Sequence, residues 1–188
     1  VQASEETSNT DQEPEKKEDE AVDQQKKELD DYSEGVKRRI KMDRTIALVG
    51  AGHWGKNHLK NLEKIGVLHS VFEPSGSMVK ERKKDFPDVR YVESETDILN
   101  NPEINGVVIA VPAVMHFDMA KKYLLAGKDV LVEKPLALTV KEGEELVRIA
   151  QKEKRILMVG HILQYHTAVI KLKELVAAGE IGKIRYIY

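Results

Sequence analysis

The chain has 188 residues, with 30 basic and 32 acidic side chains and no cysteine. The lack of cysteine excludes a disulfide framework, a thiolate zinc site and a cysteine nucleophile, and it suits the reducing cytoplasm, where we expect this protein. Because no apolar run approaches the roughly 20 residues of a membrane span, and basic residues are scattered among acids without interleaved aromatics, neither a membrane nor a nucleic acid is expected as a partner.

The first 41 residues differ in composition from the rest of the chain. Residues 1–40 carry 13 acidic and 7 basic side chains, whereas the remainder carries 19 acidic and 23 basic ones. A segment with so few apolar residues cannot offset the entropy of ordering, so residues 1–41 are predicted to be a disordered charged tail. An acidic interaction tail and a solvated leader both fit, and we favour the leader. The mildly basic remainder suits an anionic cofactor and substrate.

A glycine-rich turn follows the first predicted strand. Four apolar residues, Ile46–Val49, run directly into the sequence GAGHWG, and a helical pattern follows. This order matches the dinucleotide-binding fingerprint G-x-G-x-x-G. Gly50 permits the tight turn, Gly52 lets the backbone approach a pyrophosphate, and Gly55 lets the helix pack closely against the strand.

The turn also contains His53 and Trp54. Unpaired N–H groups at the positive end of the following helix are expected to face the cofactor phosphates. We therefore include His53 and Trp54 in the cofactor site through their backbone, and we expect the Trp54 side chain to pack against the protein.

Strand and helix patterns alternate along the chain, with short connections. The predicted strands are Ile46–Val49, Leu68–Phe72, Val89–Val92, Val107–Val111, Val130–Val132, Ile156–Val159 and the start of a further one at Ile184–Tyr188. The predicted helices are His53–Ile65, Met78–Asp85, Glu95–Leu99, His116–Leu125, Val140–Lys152 and Tyr165–Ala178. This alternation predicts an α/β fold, a Rossmann-type doubly wound parallel sheet covered by helices.

Glu73 ends the second predicted strand, 18 residues after Gly55. Ligands of open parallel sheets bind beyond the carboxyl ends of the strands. A carboxylate there can accept hydrogen bonds from the adenosine ribose and repels a 2′-phosphate, so the pattern favours NAD over NADP. The alternative is an acid in a surface loop, but the surrounding strand, turn and helix favour the cofactor role.

Lys134 belongs to a second loop that reaches the same edge. It directly follows a buried strand, and Pro135 favours an extended backbone at Lys134. A desolvated lysine shares its proton readily and can polarise a hydroxyl group that is being oxidised. From the residues alone, an ordinary surface lysine is the alternative.

Several stretches together resemble the Gfo/Idh/MocA oxidoreductase family. They are GAGHWGKNH, the acid at Glu73, AVPAVMHFDMAKKYLLAGKDVLVEKPLALT and GHILQYH, within residues 45–188. The resemblance implies that Lys134 is a catalytic lysine close to the reacting hydroxyl and the cofactor. It further implies that Glu133 helps to hold the cofactor and that the Lys134–Pro135 bond is cis.

A third loop of the predicted edge also matches the family. Val111, Pro112 and His116 correspond to the loop after the fourth main strand. The resemblance implies that these three residues lie near the nicotinamide ribose.

The last stretch, GHILQYHTAVIKLKELVAAGEIGKIRYIY, is similar to family members that act on sugar nucleotides, particularly 3-dehydrogenases of UDP-N-acetylglucosamine-type substrates. Those members usually have proline where Thr167 stands. This similarity implies that His161, Tyr165 and His166 line the sugar pocket. The alternative is that Tyr165 and His166 cap and pack the last helix. No metal site is expected, since His161 and His166 are five residues apart and no third ligand is evident.

These features predict an NAD-dependent oxidoreductase that transfers a hydride between nicotinamide and a sugar or sugar-nucleotide hydroxyl carbon. A non-catalytic NAD-binding sensor or regulatory module is the alternative, but only the enzyme needs Lys134. An unrelated α/β binding domain would require the sequence Glu-Lys-Pro at residues 133–135 to be coincidental.

The resemblance also implies a second α/β domain, which supplies another catalytic group, most substrate contacts and the oligomer interface. We therefore interpret residues 42–163 as the NAD-binding domain, and residues 164–188 as a linking helix and the first strand of a truncated C-terminal domain. The chain is then the cofactor half of an active site and is expected to be inactive alone, and the full-length protein is expected to be a homo-oligomer.

Overall fold

The computed structural model of the protein describes residues 45–186, so the predicted tail lies outside the described residues. Six strands form one parallel sheet: β1 (Ile46–Val49), β2 (Leu68–Phe72), β3 (Tyr91–Val92), β4 (Gly106–Ile109), β5 (Asp129–Val132) and β6 (Leu157–Val159). The α-helices are α1 (Gly55–Lys64), α2 (Gly76–Asp85), α3 (Thr96–Leu99), α4 (His116–Leu125), α5 (Val140–Glu153) and α6 (Thr167–Ala177).

The strand order confirms the doubly wound prediction. The strands lie in the order β3-β2-β1-β4-β5-β6, so the chain builds outward from β1 to one edge and then returns to β4. The direction of winding therefore reverses between β1 and β4. This topological switch point is where Rossmann-type sheets bind their ligands.

Two apolar layers cover the sheet. Ala47 and Val49 pack into one layer, which includes Tyr123 of α4 and Leu146 of α5. Leu48 packs into the other, which includes Leu59 of α1. The central strands are apolar without alternation because side chains on both faces of a parallel sheet are buried.

The register aligns the carboxyl ends of the strands. Val49 pairs with Phe72 of β2 and Ile109 of β4. Ile109 pairs in turn with Val132 of β5, which pairs with Val159 of β6. Because these residues lie level with one another, the residues that follow them meet along one edge of the sheet.

Some element boundaries differ from the predicted ones. The strand predicted at Val107–Val111 ends at Ile109, and Val111 instead accepts a hydrogen bond from His116 through its backbone carbonyl. Residues 184–186 form no strand, in contrast to the strand predicted at Ile184–Tyr188, and residues 187–188 lie outside the described part. A strand forms only beside a neighbour that satisfies its backbone groups, and no neighbouring strand pairs with residues 184–186 within the described chain.

Candidate active site

The glycine turn occupies the edge of the sheet directly after β1. Gly50 has φ +89°, and a Cβ atom there would lie 2.5 Å from the Ala110 carbonyl oxygen. A Cβ at Gly55 would overlap the carbonyl oxygen of Gly50, whereas one at Gly52 has no heavy atom within 4 Å. Gly50 and Gly55 are thus required by the turn itself, and Gly52 faces open space.

This turn fits the phosphates of a dinucleotide. Within residues 45–186, no group accepts a hydrogen bond from the backbone N–H of Gly52, His53 or Trp54. These donors lie just before α1, where the helix dipole favours an anion. The absence of a side chain at Gly52 leaves room for a ligand to approach the backbone.

Glu73 and Arg82 both contact the turn from the next strand–helix unit. The Ala51 N–H donates to Glu73 Oε2 at 2.7 Å, and the Ser75 N–H donates to Glu73 Oε1 at 2.9 Å. Arg82 Nε donates to the Ala51 carbonyl oxygen at 2.9 Å. Glu73 therefore lies where the fingerprint predicts it, and Arg82 is a contact that sequence reasoning missed.

Glu133 joins the loop after β5 to α1. The Trp54 indole N–H donates to Glu133 Oε1, and His58 Nε2 lies 2.6 Å from the same oxygen. The Lys134 N–H donates to Oε2 at 3.2 Å. Trp54 and His58 are four residues apart and so share one helix face. The Trp54 side chain is 42% exposed and donates its indole N–H to Glu133, whereas the sequence predicted that it packs against the protein. His58 is a second residue that sequence reasoning missed.

The carboxylate of Glu133 is held in its ionised form. Burial alone raises its pKa, but the hydrogen bonds from His58, Trp54 and the Lys134 backbone outweigh burial and leave the pKa below its usual value. Gly160 closes the site from β6, since a Cβ there would lie 3.1 Å from the Glu133 carboxyl group. Glu133 is thus a buried, ionised carboxylate at the carboxyl edge of the sheet, and its hydrogen bonds fix its orientation.

Lys134 follows this anchored glutamate at the carboxyl end of β5. Its side chain is exposed, and the Lys134–Pro135 peptide bond is cis, as the family resemblance implies. Within the described chain, Lys134 Nζ has no hydrogen-bonding or ion-pairing partner. The amine is therefore free to engage a ligand at the edge.

The buried His116 side chain connects the loop after β4 with the loop after β5. It is fully buried, with Nδ1 2.6 Å from the Pro135 carbonyl oxygen and Nε2 2.9 Å from that of Val111. Val111 and Pro112 form the bend between β4 and α4, and Pro112 is exposed. In this structure His116 holds the two loops together through their backbones, with its side chain beneath the surface.

A cavity of about 740 Å³ opens beside Lys134. Its walls come from the glycine turn, the loop after β5 and the segment after β6, and the residues that line it are Trp54, Glu133, Lys134, Pro135, Gly160, His161, Ile162, Leu163, Gln164 and Val169. The cavity brings the predicted catalytic lysine together with one of the three predicted substrate residues, His161.

The other two predicted substrate residues lie outside the lining of this cavity. Tyr165 ends a short 3-10 helix and is largely exposed. His166 caps α6, because its Nδ1 accepts a hydrogen bond from the Ala168 N–H at 3.2 Å. For His166 the structure shows the capping arrangement that the sequence left open as an alternative.

Residues 45–186 contain no cluster of three or more side chains suited to bind a metal ion. In the same part of the chain, no helix has the length and apolar character needed to cross a bilayer.

Comparison with known proteins agrees with this geometry. The family described as "Oxidoreductase family, NAD-binding Rossmann fold" (GFO_IDH_MocA) matches residues 44–161. The chain belongs to the Gfo/Idh/MocA oxidoreductase family. The match covers the sheet from β1 to β6, so residues 44–161 are the family's NAD(P)-binding Rossmann domain.

Individual relatives differ in substrate and cofactor. The NADP-dependent scyllo-inositol 2-dehydrogenase of Bacillus subtilis is 33% identical over 150 residues, covering 79% of this chain and 42% of the relative. The NAD-dependent scyllo-inositol 2-dehydrogenase of Bacillus subtilis is 30% identical, with coverages of 74% and 42%. The solved structure of UDP-N-acetylglucosamine 3-dehydrogenase from Acidithiobacillus ferrooxidans is 29% identical, with a TM-score of 0.63 and coverages of 69% and 42%. The chain thus spans about two fifths of these relatives.

Proposed function

We propose that the protein is an NAD-dependent dehydrogenase of a sugar or sugar nucleotide, with Lys134 as its catalytic acid–base residue. The observation that carries the proposal is that Lys134 lines a cavity of about 740 Å³ whose wall also includes Trp54 of the glycine turn. The preceding Glu133 is hydrogen-bonded to Trp54 and to His58 of α1. A phosphate-binding turn and a proton-exchanging amine are thereby linked along one edge.

The proposed reaction requires Lys134 to exchange one proton with the substrate hydroxyl group. When bound, the nicotinamide ring supplies the carbon that accepts or donates hydride. An alcohol that loses hydride becomes a carbonyl compound only if its hydroxyl proton also leaves. The proposed role of Lys134 is to exchange that proton with the hydroxyl group, in either direction of the reaction. Glu133 supports this task by holding the backbone of Lys134 in place.

NAD is the proposed cofactor because of Glu73. Both of its carboxylate oxygens accept backbone hydrogen bonds, from Ala51 and Ser75. These two hydrogen bonds oppose a change of the Glu73 rotamer, and the negative charge of the carboxylate repels the 2′-phosphate of NADP. We expect NAD(H) to bind more tightly than NADP(H) and Glu73→Ala to narrow the difference. Equal calorimetric affinities in the wild-type protein would contradict this assignment.

For the substrate we propose a polyhydroxylated ring, as in a sugar or sugar nucleotide. His161 and Gln164 line the same cavity as Lys134. The His161 ring and the Gln164 amide NH₂ can hydrogen-bond to hydroxyl groups, while the Gln164 side-chain oxygen accepts a hydrogen bond from Lys173. Tyr165 and His166 stay predicted substrate contacts. Residues 42–163 are proposed as the cofactor unit, and residues 164–188 as the start of the unit that completes the substrate site.

The test uses the full-length protein with NAD or NADP and a panel that includes UDP-N-acetylglucosamine and scyllo-inositol. Formation of reduced nicotinamide is followed by absorbance. Lys134→Ala should lower turnover by about 10² to 10⁴, the size of a positioned acid–base contribution, with little change in NADH affinity. Lys141→Ala, which alters an exposed lysine of α5, is the matched control and should change neither.

Two results would contradict the proposal. Unchanged turnover in Lys134→Ala would remove the lysine from the chemistry. Tight NAD binding without oxidation of any compound in the panel, by the wild-type protein, would favour a cofactor-binding sensor.

A further inference from the structure

Two hydrogen bonds hold the peptide groups of the glycine turn in place at Ala51. Ala51 is completely buried, and its N–H donates to Glu73 Oε2 at 2.7 Å. Its carbonyl oxygen accepts from Arg82 Nε at 2.9 Å. Both polar atoms of Ala51 are therefore bonded to the unit formed by β2 and α2, which fixes the orientation of the peptide groups on either side of this residue.

Arg82 is unusual in its surroundings. It is the buried residue of α2, and its side chain is only 5% exposed. Its remaining hydrogen bonds go to Glu81 Oε1 at 2.8 Å and Met78 Sδ at 3.2 Å, and the Glu81 side chain is 60% exposed. A buried guanidinium with such a solvated counter-charge adds little stability over an apolar side chain. Stability therefore does not account for the buried position of Arg82, and its hydrogen bond to Ala51 points to another role.

That contact determines where the next N–H group points. Lys134–Pro135 is the cis peptide bond of the described chain, so the Ala51–Gly52 peptide is trans. A trans peptide carries its carbonyl oxygen and its N–H on opposite sides. With the Ala51 oxygen drawn inward to Arg82, the Gly52 N–H points away from the buried guanidinium. It has no acceptor within residues 45–186.

We infer that Arg82 is a positioning residue for the pyrophosphate of the dinucleotide, acting through the Ala51–Gly52 peptide without touching the ligand. This inference rests on the proposed function. Donors that are fixed before binding spare a ligand the cost of ordering them. Without Arg82 the Ala51 carbonyl loses its partner and this peptide can rotate, so the Gly52 N–H no longer faces one direction.

A second buried cation provides the matched control. Lys128 precedes β5 at the opposite, amino edge of the sheet, where its Nζ donates to the carbonyl oxygens of Asn101 and Ile104. Like Arg82, it is a buried cation that bonds to backbone carbonyls. The Lys128 contacts lie far from the glycine turn in the fold. Lys128→Met therefore removes a buried cation and its hydrogen bonds to backbone carbonyls without disturbing the turn.

The experiment measures ligand affinity and stability in the full-length protein. NADH binding is followed by fluorescence, ADP and adenosine are tested as competitors, and urea unfolding reports stability. Arg82→Met should weaken NADH and ADP binding by about tenfold, the lower end of the contribution of one hydrogen bond to a charged group, and leave adenosine binding unchanged. Lys128→Met should lower stability and leave all three affinities unchanged.

Arg82→Lys keeps the test decisive if Arg82→Met does not fold. A lysine retains a donor of shorter reach, so NADH and ADP binding should fall by about threefold, between wild type and Arg82→Met. Unchanged NADH affinity in the folded variants would overturn the inference while leaving the proposed function intact. An equal loss for ADP and adenosine would also overturn it. If the wild-type protein binds neither NADH nor NADPH, the proposed function fails together with the inference.

Discussion

Replacing Glu133 with glutamine should destabilise the protein through one buried carboxylate. The Glu133 side chain is 8% exposed and accepts hydrogen bonds from Trp54, His58 and the Lys134 N–H. Glutamine can keep the oxygen that Trp54 and His58 share, but its amide NH₂ then faces the Lys134 N–H. One hydrogen bond is lost and the other two lose their ionic character. At about 1.5–3 kcal/mol for a hydrogen bond to a charged group, we expect about 2 kcal/mol less unfolding free energy.

The pH dependence tests whether the charge provides this stability. Burial raises the pKa of Glu133, but its hydrogen bonds bring the folded-state pKa below the ordinary 4.5. A carboxyl group with a lowered folded-state pKa contributes stability above its unfolded pKa and loses that contribution as the pH falls through the folded value. The stability difference between wild type and Glu133→Gln should therefore be complete at neutral pH and shrink below pH 4.5.

The assay is urea unfolding followed by circular dichroism at a series of pH values. Glu103→Gln is the control, because Glu103 is largely exposed and lies 3.6 Å from His69. Exposed pairs contribute roughly 0–1 kcal/mol, so this variant should resemble wild type. If Glu133→Gln is as stable as wild type at neutral pH, or if its deficit does not change in acid, the reasoning is refuted.

Three further variants test other contacts. Gly52→Val should fold normally, because a Cβ there meets no heavy atom within 4 Å, yet lose NADH binding; normal titration by fluorescence would refute the phosphate role. Gly55→Ala should lower the melting temperature far more than Gly76→Ala, since a Cβ at Gly55 overlaps the Gly50 carbonyl oxygen and one at Gly76 meets nothing. His116→Phe removes the imidazole that lies within hydrogen-bonding distance of the Pro135 and Val111 carbonyl oxygens, and it should cost about 1–3 kcal/mol in urea unfolding for a buried acceptor left unpaired; a smaller loss than in His69→Phe would contradict the link that His116 makes between the two loops.

The sheet could be predicted from sequence because its signals are local. Apolar runs of strand length, glycines at the ends of helices and short connections each depend on neighbouring residues, and together they imply the strand order through the rules of parallel sheets. The strand predicted at Ile184–Tyr188 is different. A run of apolar residues becomes a strand only beside another strand, and the six-stranded sheet of residues 45–186 contains no strand next to residues 184–186.

Residues at the carboxyl edge of the sheet could be predicted where they belong to a sequence motif. Residues that contact this edge from a distant part of the sequence were missed. Glu73 directly follows β2 and Lys134 comes two residues after the end of β5, so their place along the chain indicates their place in space. His58 bonds Glu133 from 75 residues away, and Arg82 reaches Ala51 across 31 residues. The i,i+4 spacing of Trp54 and His58 places them on one helix face, but which residue they meet depends on the folded sheet.

The Glu133 contacts also join the two halves of the molecule. β1 to β3 with α1 form one half of the doubly wound sheet, and β4 to β6 form the other. The crevice between such halves is where a ligand lodges, and here a carboxylate from the second half is bonded to Trp54 and His58 of the first. Widening the crevice requires breaking these bonds. These two contacts therefore restrain the crevice before any ligand arrives, and the entropy of ordering the three side chains is lost when the chain folds.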